Sequence, residues 1–177
     1  MPEALEIIET PLVYGCIFCI TGMENAVAQQ IEYACDDVRA IVARLVKPRT
    51  SQGKKYTEES ILFPGYIFFE TLKSKDPLQR IPKENILSIL TTDGSDWRLY
   101  GKDESLVKWL FSYNGVVPFS KAYQEGDRIK IICGPLKDLQ ADVQKVDKRN
   151  RSALVSLTFC NRTVKVWLSY EIVEKKE

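Results

Sequence analysis

Residues 62–70 read LFPGYIFFE, a Pro-Gly corner that runs straight into Tyr66, Ile67, Phe68 and Phe69. Side chains alternate across a strand, so Tyr66 and Phe68 share one side while Ile67 and Phe69 share the other. A strand over residues 61–70 therefore carries large apolar surface on both faces, and each face needs a cover. If the chain's own helices bury one side, the other is left as an apolar groove able to receive a helix pair from a partner, or it is buried as plain core.

The flanking sequence supplies strands and helices for such a layer. Residues 12–20 are apolar and β-rich, and Thr21-Gly22 ends that run just before ENAVAQQIEYAC. There Val27, Ala28, Ile31, Ala34 and Cys35 recur at helical spacing, which predicts an amphipathic helix. Residues 38–46, VRAIVARLV, fit either period, and their β-branched content favours a strand. The polar, basic KPRTSQGKKYTEES that follows contains Pro48 and Gly53 and reads as a hairpin or a mobile loop. Residues 78–87 read as a helix broken at Pro82, residues 86–90 as a short strand, and ESLVKWLF at 104–111 as a helix with Leu106, Trp109 and Leu110 on one face. SYNGVVPFSKAYQEGD then has no clear period and is the expected linker.

The last third changes character. RIKII, ADVQKV, SALVSLTF, RTVKVWL and EIV are short β-rich runs separated by turn signals, the pattern of a small antiparallel barrel. The expected fold class is α+β: an amino-terminal α/β sandwich domain over 1–112, a linker over 113–124 and a small β-barrel over 125–177. The 12 Lys+Arg against 8 Asp+Glu in residues 121–177 make this part basic, while the chain as a whole carries a net charge of +1. Lys145, Lys148, Arg149 and Arg151 cluster around one turn there, a footprint for a phosphate backbone. The same turn reads equally as a solvated loop kept in water by its charge.

Composition excludes other classes. At 177 residues and 45% hydrophobic content the chain is long enough for two small domains, and no stretch approaches the ~20 apolar residues that span a bilayer. The start, MPEALEIIETPLVYG, has no basic region ahead of an apolar one, so a cytoplasmic protein without membrane contact is expected. Histidine is absent, which removes the commonest general base, and no phosphate-binding or nucleophile-elbow motif occurs. Cys16 and Cys19 form a CxxC, but residues three apart on a strand face opposite ways, so neither a metal nor a dithiol site is expected. The reading is of a protein that is not an enzyme and carries no cofactor.

The order of these pieces resembles the NusG family of transcription elongation factors. The matching residues are Gly22-Met23-Glu24 opening the first helix, Phe63-Pro64-Gly65-Tyr66, and EGDRIKIICGPLKDLQADVQKVD as a KOW motif. The resemblance implies a noncatalytic, monomeric partner of RNA polymerase whose amino-terminal domain docks on the clamp helices of the largest subunit. It implies that Tyr14, Tyr66 and Phe68 form the docking pocket, with Leu90, Leu106 and Leu110 beside them. Ser74, Lys75 and Asp76 match a turn that touches the polymerase gate loop. Arg44, Lys47, Arg49, Lys54 and Lys55 match a basic hairpin that lies near upstream DNA. The KOW barrel is implied to contact other factors, the ribosome or RNA, for which an RNA hairpin is the expected ligand.

Departures from the family pattern point to a specialised paralogue. Phe159-Cys160-Asn161-Arg162 stands where the general factor usually has Phe-Gly-Arg, and Ala141 stands where the KOW motif commonly has glycine. Paralogues of the RfaH and LoaP types act on selected operons and suppress termination, and the basic barrel turn favours the LoaP-like, RNA-recruited version. The alternative is a general factor that modulates pausing and Rho-dependent termination. The RfaH type also refolds its barrel into a helical hairpin; here the alternation of Val143, Val146, Val155, Val164 and Val166 favours strands.

Overall fold

The computed structural model describes residues 11–139 and 142–174, with the backbone alone at Asp142. Residues 1–10, 140–141 and 175–177, which include the two outer ends of the expected domains and Ala141, lie outside the described residues.

Alternation of apolar residues builds the first sheet. Strands β1 (Leu12–Cys19), β2 (Val38–Ile41), β5 (Tyr66–Leu72) and β6 (Ile86–Leu90) lie in the order β2-β5-β1-β6, all antiparallel to their neighbours. Register puts Gly15 opposite Phe69 and Phe18 opposite Tyr66. Helix α1 (Glu24–Ala34) buries Val27, Ala28 and Ile31 against one face, where Ile17, Cys19, Ile67 and Phe69 meet them. Gly15 is required on that face, because a Cβ there would sit 2.2 Å from Cζ of Phe69, whose ring stacks on Trp97 at 5.4 Å. The opposite face carries Tyr14, Cys16, Phe68 and Leu90, and helix α2 (Gly101–Ser112) brings Leu106, Val107, Leu110 and Phe111 to it. Cys16 and Cys19 thus belong to different faces of one strand, as their spacing predicts.

Strands β3 (Arg44–Ser51) and β4 (Lys54–Ile61) form the hairpin expected at the basic stretch. Its two turn residues, Gln52 and Gly53, both have positive φ, the conformation that matches the twist of paired strands. Pro48 is accommodated because β7 (Val116–Val117) pairs with β3 only at Arg44 and Leu45, leaving Pro48 on a free edge.

The second large sheet has the order β10-β11-β12-β8-β9, with β8 (Ser120–Glu125), β9 (Arg128–Cys133), β10 (Asp142–Asp147), β11 (Ser152–Phe159) and β12 (Arg162–Ile172). A short helix, α3 (Pro135–Asp138), starts with proline at its first turn, where no amide hydrogen is needed. Val143, Val146, Val155, Val164 and Val166 all lie in strands.

Five local expectations change. The run 38–46 is two strands, β2 and β3, separated at Val42-Ala43. Leu62–Gly65 is a corner rather than strand, so β5 begins at Tyr66. Residues 78–85 form turns, because Pro77 and Pro82 bracket too few residues for a helix to propagate. The stretch 113–124 carries β7 and the start of β8, since its apolar Val117 and Ala122 are buried and pull the backbone into ladders with β3, β9 and β12. RTVKVWL and EIV are one strand, β12, which pairs antiparallel with β11 and, from Tyr170 onward, parallel with β8.

Candidate functional site

The aromatic face is positioned by a buried carboxylate. Glu24, the first residue of α1, is 1% exposed; its Oε1 accepts from the Gly65 amide at 2.8 Å and its Oε2 from the Gly22 amide at 2.9 Å. Both glycines have positive φ, and the helix N-terminus adds a favourable field for the negative charge. Glu24 therefore ties the Phe-Pro-Gly corner to α1. A Cβ at Gly65 would meet the Phe18 ring at 2.6 Å, so the corner also sits tight on β1.

From that corner Tyr66 and Phe68 extend along one face, their rings stacked with centroids 6.3 Å apart. Tyr14, Phe68, Leu90, Leu106 and Leu110 are buried in one cluster and Tyr66 is half-buried against it. All six residues expected at the pocket are brought together.

The groove is not open. The β11–β12 hairpin covers it: the Phe159 ring, 1% exposed, meets Phe68 at 5.8 Å and Tyr66 at 6.2 Å, both edge-on. The turn residues Cys160 and Asn161 both have positive φ, and this tight turn directs polar groups onto the first layer. The Cys160 amide donates to Asp103 Oδ1 of α2 at 3.0 Å, and Asn161 Nδ2 donates to the Thr92 carbonyl at 2.8 Å. Arg162 places its guanidinium 5.6 Å from the Phe18 ring centroid, and Tyr113 Oη donates to Asp138 Oδ2 at 3.2 Å. The expectation of an uncovered face is corrected on this point: apolar surface this large is buried by the nearest complementary surface, and here that surface is in the same chain.

Burial and the neighbouring Asp103 carboxylate push the Cys160 thiol up to about 12, and burial with Cys160 nearby pushes Cys16 up as well. A raised thiol pKa means that the covered arrangement binds the proton more tightly than an exposed Cys160 does. Its contribution is complete below the ordinary thiol value of 9.0 and is lost as pH rises from there toward about 12. At neutral pH a maleimide is expected to modify the exposed Cys133 quickly and Cys160 roughly tenfold or more slowly, a difference that shrinks as pH climbs through that window. Peptide mapping after timed labelling reads this directly.

The other expected residues lie apart from the covered face. Ser74, Lys75 and Asp76 line a surface pocket of about 470 Å³ with Asp36, Asp37 and Arg80. Arg80 pairs with Asp37 at 2.7 Å and holds that carboxyl below its usual range. On the hairpin, Arg44 donates to Asn25 Oδ1 at 2.8 Å and Arg49 to Glu58 Oε2 at 2.8 Å, while Lys54 is exposed. Lys55 lies 3.9 Å from Glu171 of β12. Lys145 and Arg149 are exposed at the β10–β11 turn, Lys148 Nζ is bound to the Asp127 carbonyl, and Arg151 reaches the hairpin side of the sheet. Sequence reasoning left out the clamp of Glu24, the bond to Asp103 and the covering role of Phe159. Glu24 was visible as an acidic residue at a helix start, whereas the other two depend on contacts far apart in the chain, 57 positions for Cys160 with Asp103 and more for Phe159 with Phe68.

With this geometry in hand, the chain can be set beside known proteins. It is similar to NusG proteins. It is 24% identical over 150 residues to the transcription termination/antitermination protein NusG of Borreliella burgdorferi, covering 78% of this chain and 80% of that protein. It is 28% identical over 145 residues to the NusG of Synechocystis, covering 75% and 69%. A solved structure described as domain interaction in Thermotoga maritima NusG superposes with a TM-score of 0.53 at 18% identity, over 90% of this chain and 94% of that one, a likeness of fold. No family model matches. The fold of this NusG-like chain is mostly β with few helices. Among the described residues no helix is long and apolar enough to cross a membrane, and no group of three or more Cys, Asp or Glu could hold a metal ion.

Proposed function

We propose that this NusG-like chain is a noncatalytic transcription elongation and antitermination factor that binds RNA polymerase through the aromatic face of its amino-terminal α/β layer. The occupant of that face is a helix pair of the polymerase clamp, and residues 125–177 act as the KOW unit that contacts RNA or partner factors. The observation that carries the reading is the covered face itself. Tyr14, Phe68, Leu90, Leu106 and Leu110 form one apolar surface, and the end of the covering hairpin is bonded to the layer that carries it through Asp103 and Thr92. Surface of this kind suits a partner helix once the hairpin moves away. Access to the face then becomes the regulated step, which fits a factor working on selected operons. The alternative is a general factor that modulates pausing and Rho-dependent termination; both sequence relatives carry the name transcription termination/antitermination protein.

The test is capture of purified RNA polymerase by the chain carrying Phe159→Ala, with and without Tyr66→Ala. Tyr66 is half-buried at the edge of the face, so its removal leaves the fold in place. Truncating this aromatic anchor is expected to weaken capture about tenfold or more. Equal capture by both variants would remove the polymerase reading.

A further inference from the structure

Where the β3–β4 hairpin meets β12, the surface opens into two adjoining clefts that the covered aromatic face does not use. One, of about 320 Å³, lies between Lys47 and Arg49 on the hairpin and Asp147, Asn150 and Trp167 on the second sheet. The other, of about 200 Å³, lies between Arg49, Lys55 and Tyr56 on the hairpin and Phe119, Arg151 and Glu171 opposite. Pro48 and Arg49 line both, so the two form one seam.

Its chemistry is specific in two respects. Trp167 is 39% exposed and Tyr56 52% exposed, and among the described residues neither ring is stacked on another. Alternation along β12 explains this for Trp167, since Val166 and Leu168 on either side are buried. Four cations, Lys47, Arg49, Lys55 and Arg151, line the seam against two carboxylates, Asp147 and Glu171, with Glu58 holding Arg49 at 2.8 Å from outside it and Glu171 lying 3.9 Å from Lys55. Asp147 is itself committed, accepting from the Asn150 amide at 3.0 Å and its side chain at 2.8 Å. Open aromatic faces among excess cations are the combination that holds a single strand: phosphates track the charges and bases stack on the rings. A duplex keeps its base faces covered and has nothing to offer Trp167.

We propose that this seam binds single-stranded nucleic acid, with a base on Trp167 and the adjoining phosphates on Lys47, Arg49 and Arg151. The inference deepens the reading of the chain as a nucleic-acid-contacting transcription factor. The site is composite, since hairpin and β12 each supply half of it.

The experiment titrates the full chain into labelled 12-nucleotide strands of RNA and of DNA and into a DNA duplex, following anisotropy and tryptophan emission. Expected are binding of a single strand with quenched emission, weaker binding of the duplex, and a preference between the RNA and DNA arms that identifies the source. Trp167→Ala is expected to weaken single-strand binding roughly 5- to 50-fold, and Trp167→Phe, which keeps a ring, to restore most of it. Lys47→Ala with Arg49→Ala is expected to lower the slope of log affinity on log salt by about 1.4. Absence of single-strand binding, or equal binding by wild type and Trp167→Ala with an unchanged circular dichroism spectrum, would overturn the assignment. Trp167 lies outside the aromatic face, so Trp167→Ala in the Phe159→Ala chain is expected to keep polymerase capture. Absence of capture by the Phe159→Ala chain while the wild-type chain binds single strands would fault the polymerase reading alone.

Discussion

Phe159→Ala is expected to raise the apparent affinity for RNA polymerase by about two orders of magnitude. In the covered arrangement this ring is 1% exposed and touches Phe68 and Tyr66; once the hairpin leaves, it faces water. Truncation therefore weakens the covered state selectively. Replacing a fully buried phenylalanine with alanine costs about 3–5 kcal/mol. At about 1.4 kcal/mol per factor of ten, the equilibrium between covered and open forms moves from about a hundredfold to a few thousandfold toward open. A partner that binds only the open form gains by that factor until the open form predominates. Titration of polymerase against wild type and variant measures it, and faster maleimide labelling of Cys160 reports opening independently of any partner. Retained strand content in circular dichroism separates opening from loss of the second sheet. An unchanged affinity together with faster labelling would mean that the hairpin does not limit polymerase access. Asp103→Ala, which removes the bond to the Cys160 amide and the carboxylate beside its thiol, is expected to act in the same direction with a smaller effect.

What was legible in the sequence follows from the range of the interactions. The alternation in YIFF places Phe68 and Phe69 on opposite faces because two adjacent residues are enough to define it. The basic hairpin was readable from Gly53, and the first helix from its apolar spacing, for the same reason. Failures occur where tertiary contacts overrule local signals. Residues 113–124 look like a linker because Asn114, Gly115 and Pro118 interrupt the pattern, yet Val117 and Ala122 find buried positions and draw the chain into two ladders. The candidate site follows the same division. Its six apolar and aromatic members are those that the family resemblance implies, and strand alternation puts Tyr66 and Phe68 on one side, but its cover could not be read. Nothing in SALVSLTFCNRTVKV announces that Phe159 will rest on Phe68 rather than inside its own sheet. That choice depends on shape at a distant surface.

Glu24→Ala tests how the face is held in place, and its expected effect is on stability. The carboxylate is buried without a basic partner among the described residues, and it persists because two amides and the start of α1 solvate it. Removing it strands the buried Gly65 amide, leaves the amide of the exposed Gly22 to water, and opens a void. An unsatisfied buried donor costs about 1–3 kcal/mol, so that one donor together with the lost packing should lower unfolding stability by about 2–4 kcal/mol. Glu24→Gln keeps one oxygen to accept but turns an amide hydrogen toward the second donor, and roughly half of that loss is expected. Urea unfolding with an unchanged m-value measures both variants. The corner carrying Gly65 leads directly into Tyr66, so a loosened corner also displaces the ring that Phe159 meets. Faster Cys160 labelling should accompany the stability loss in Glu24→Ala, and labelling at the wild-type rate would mean that the corner and the covering hairpin are mechanically independent.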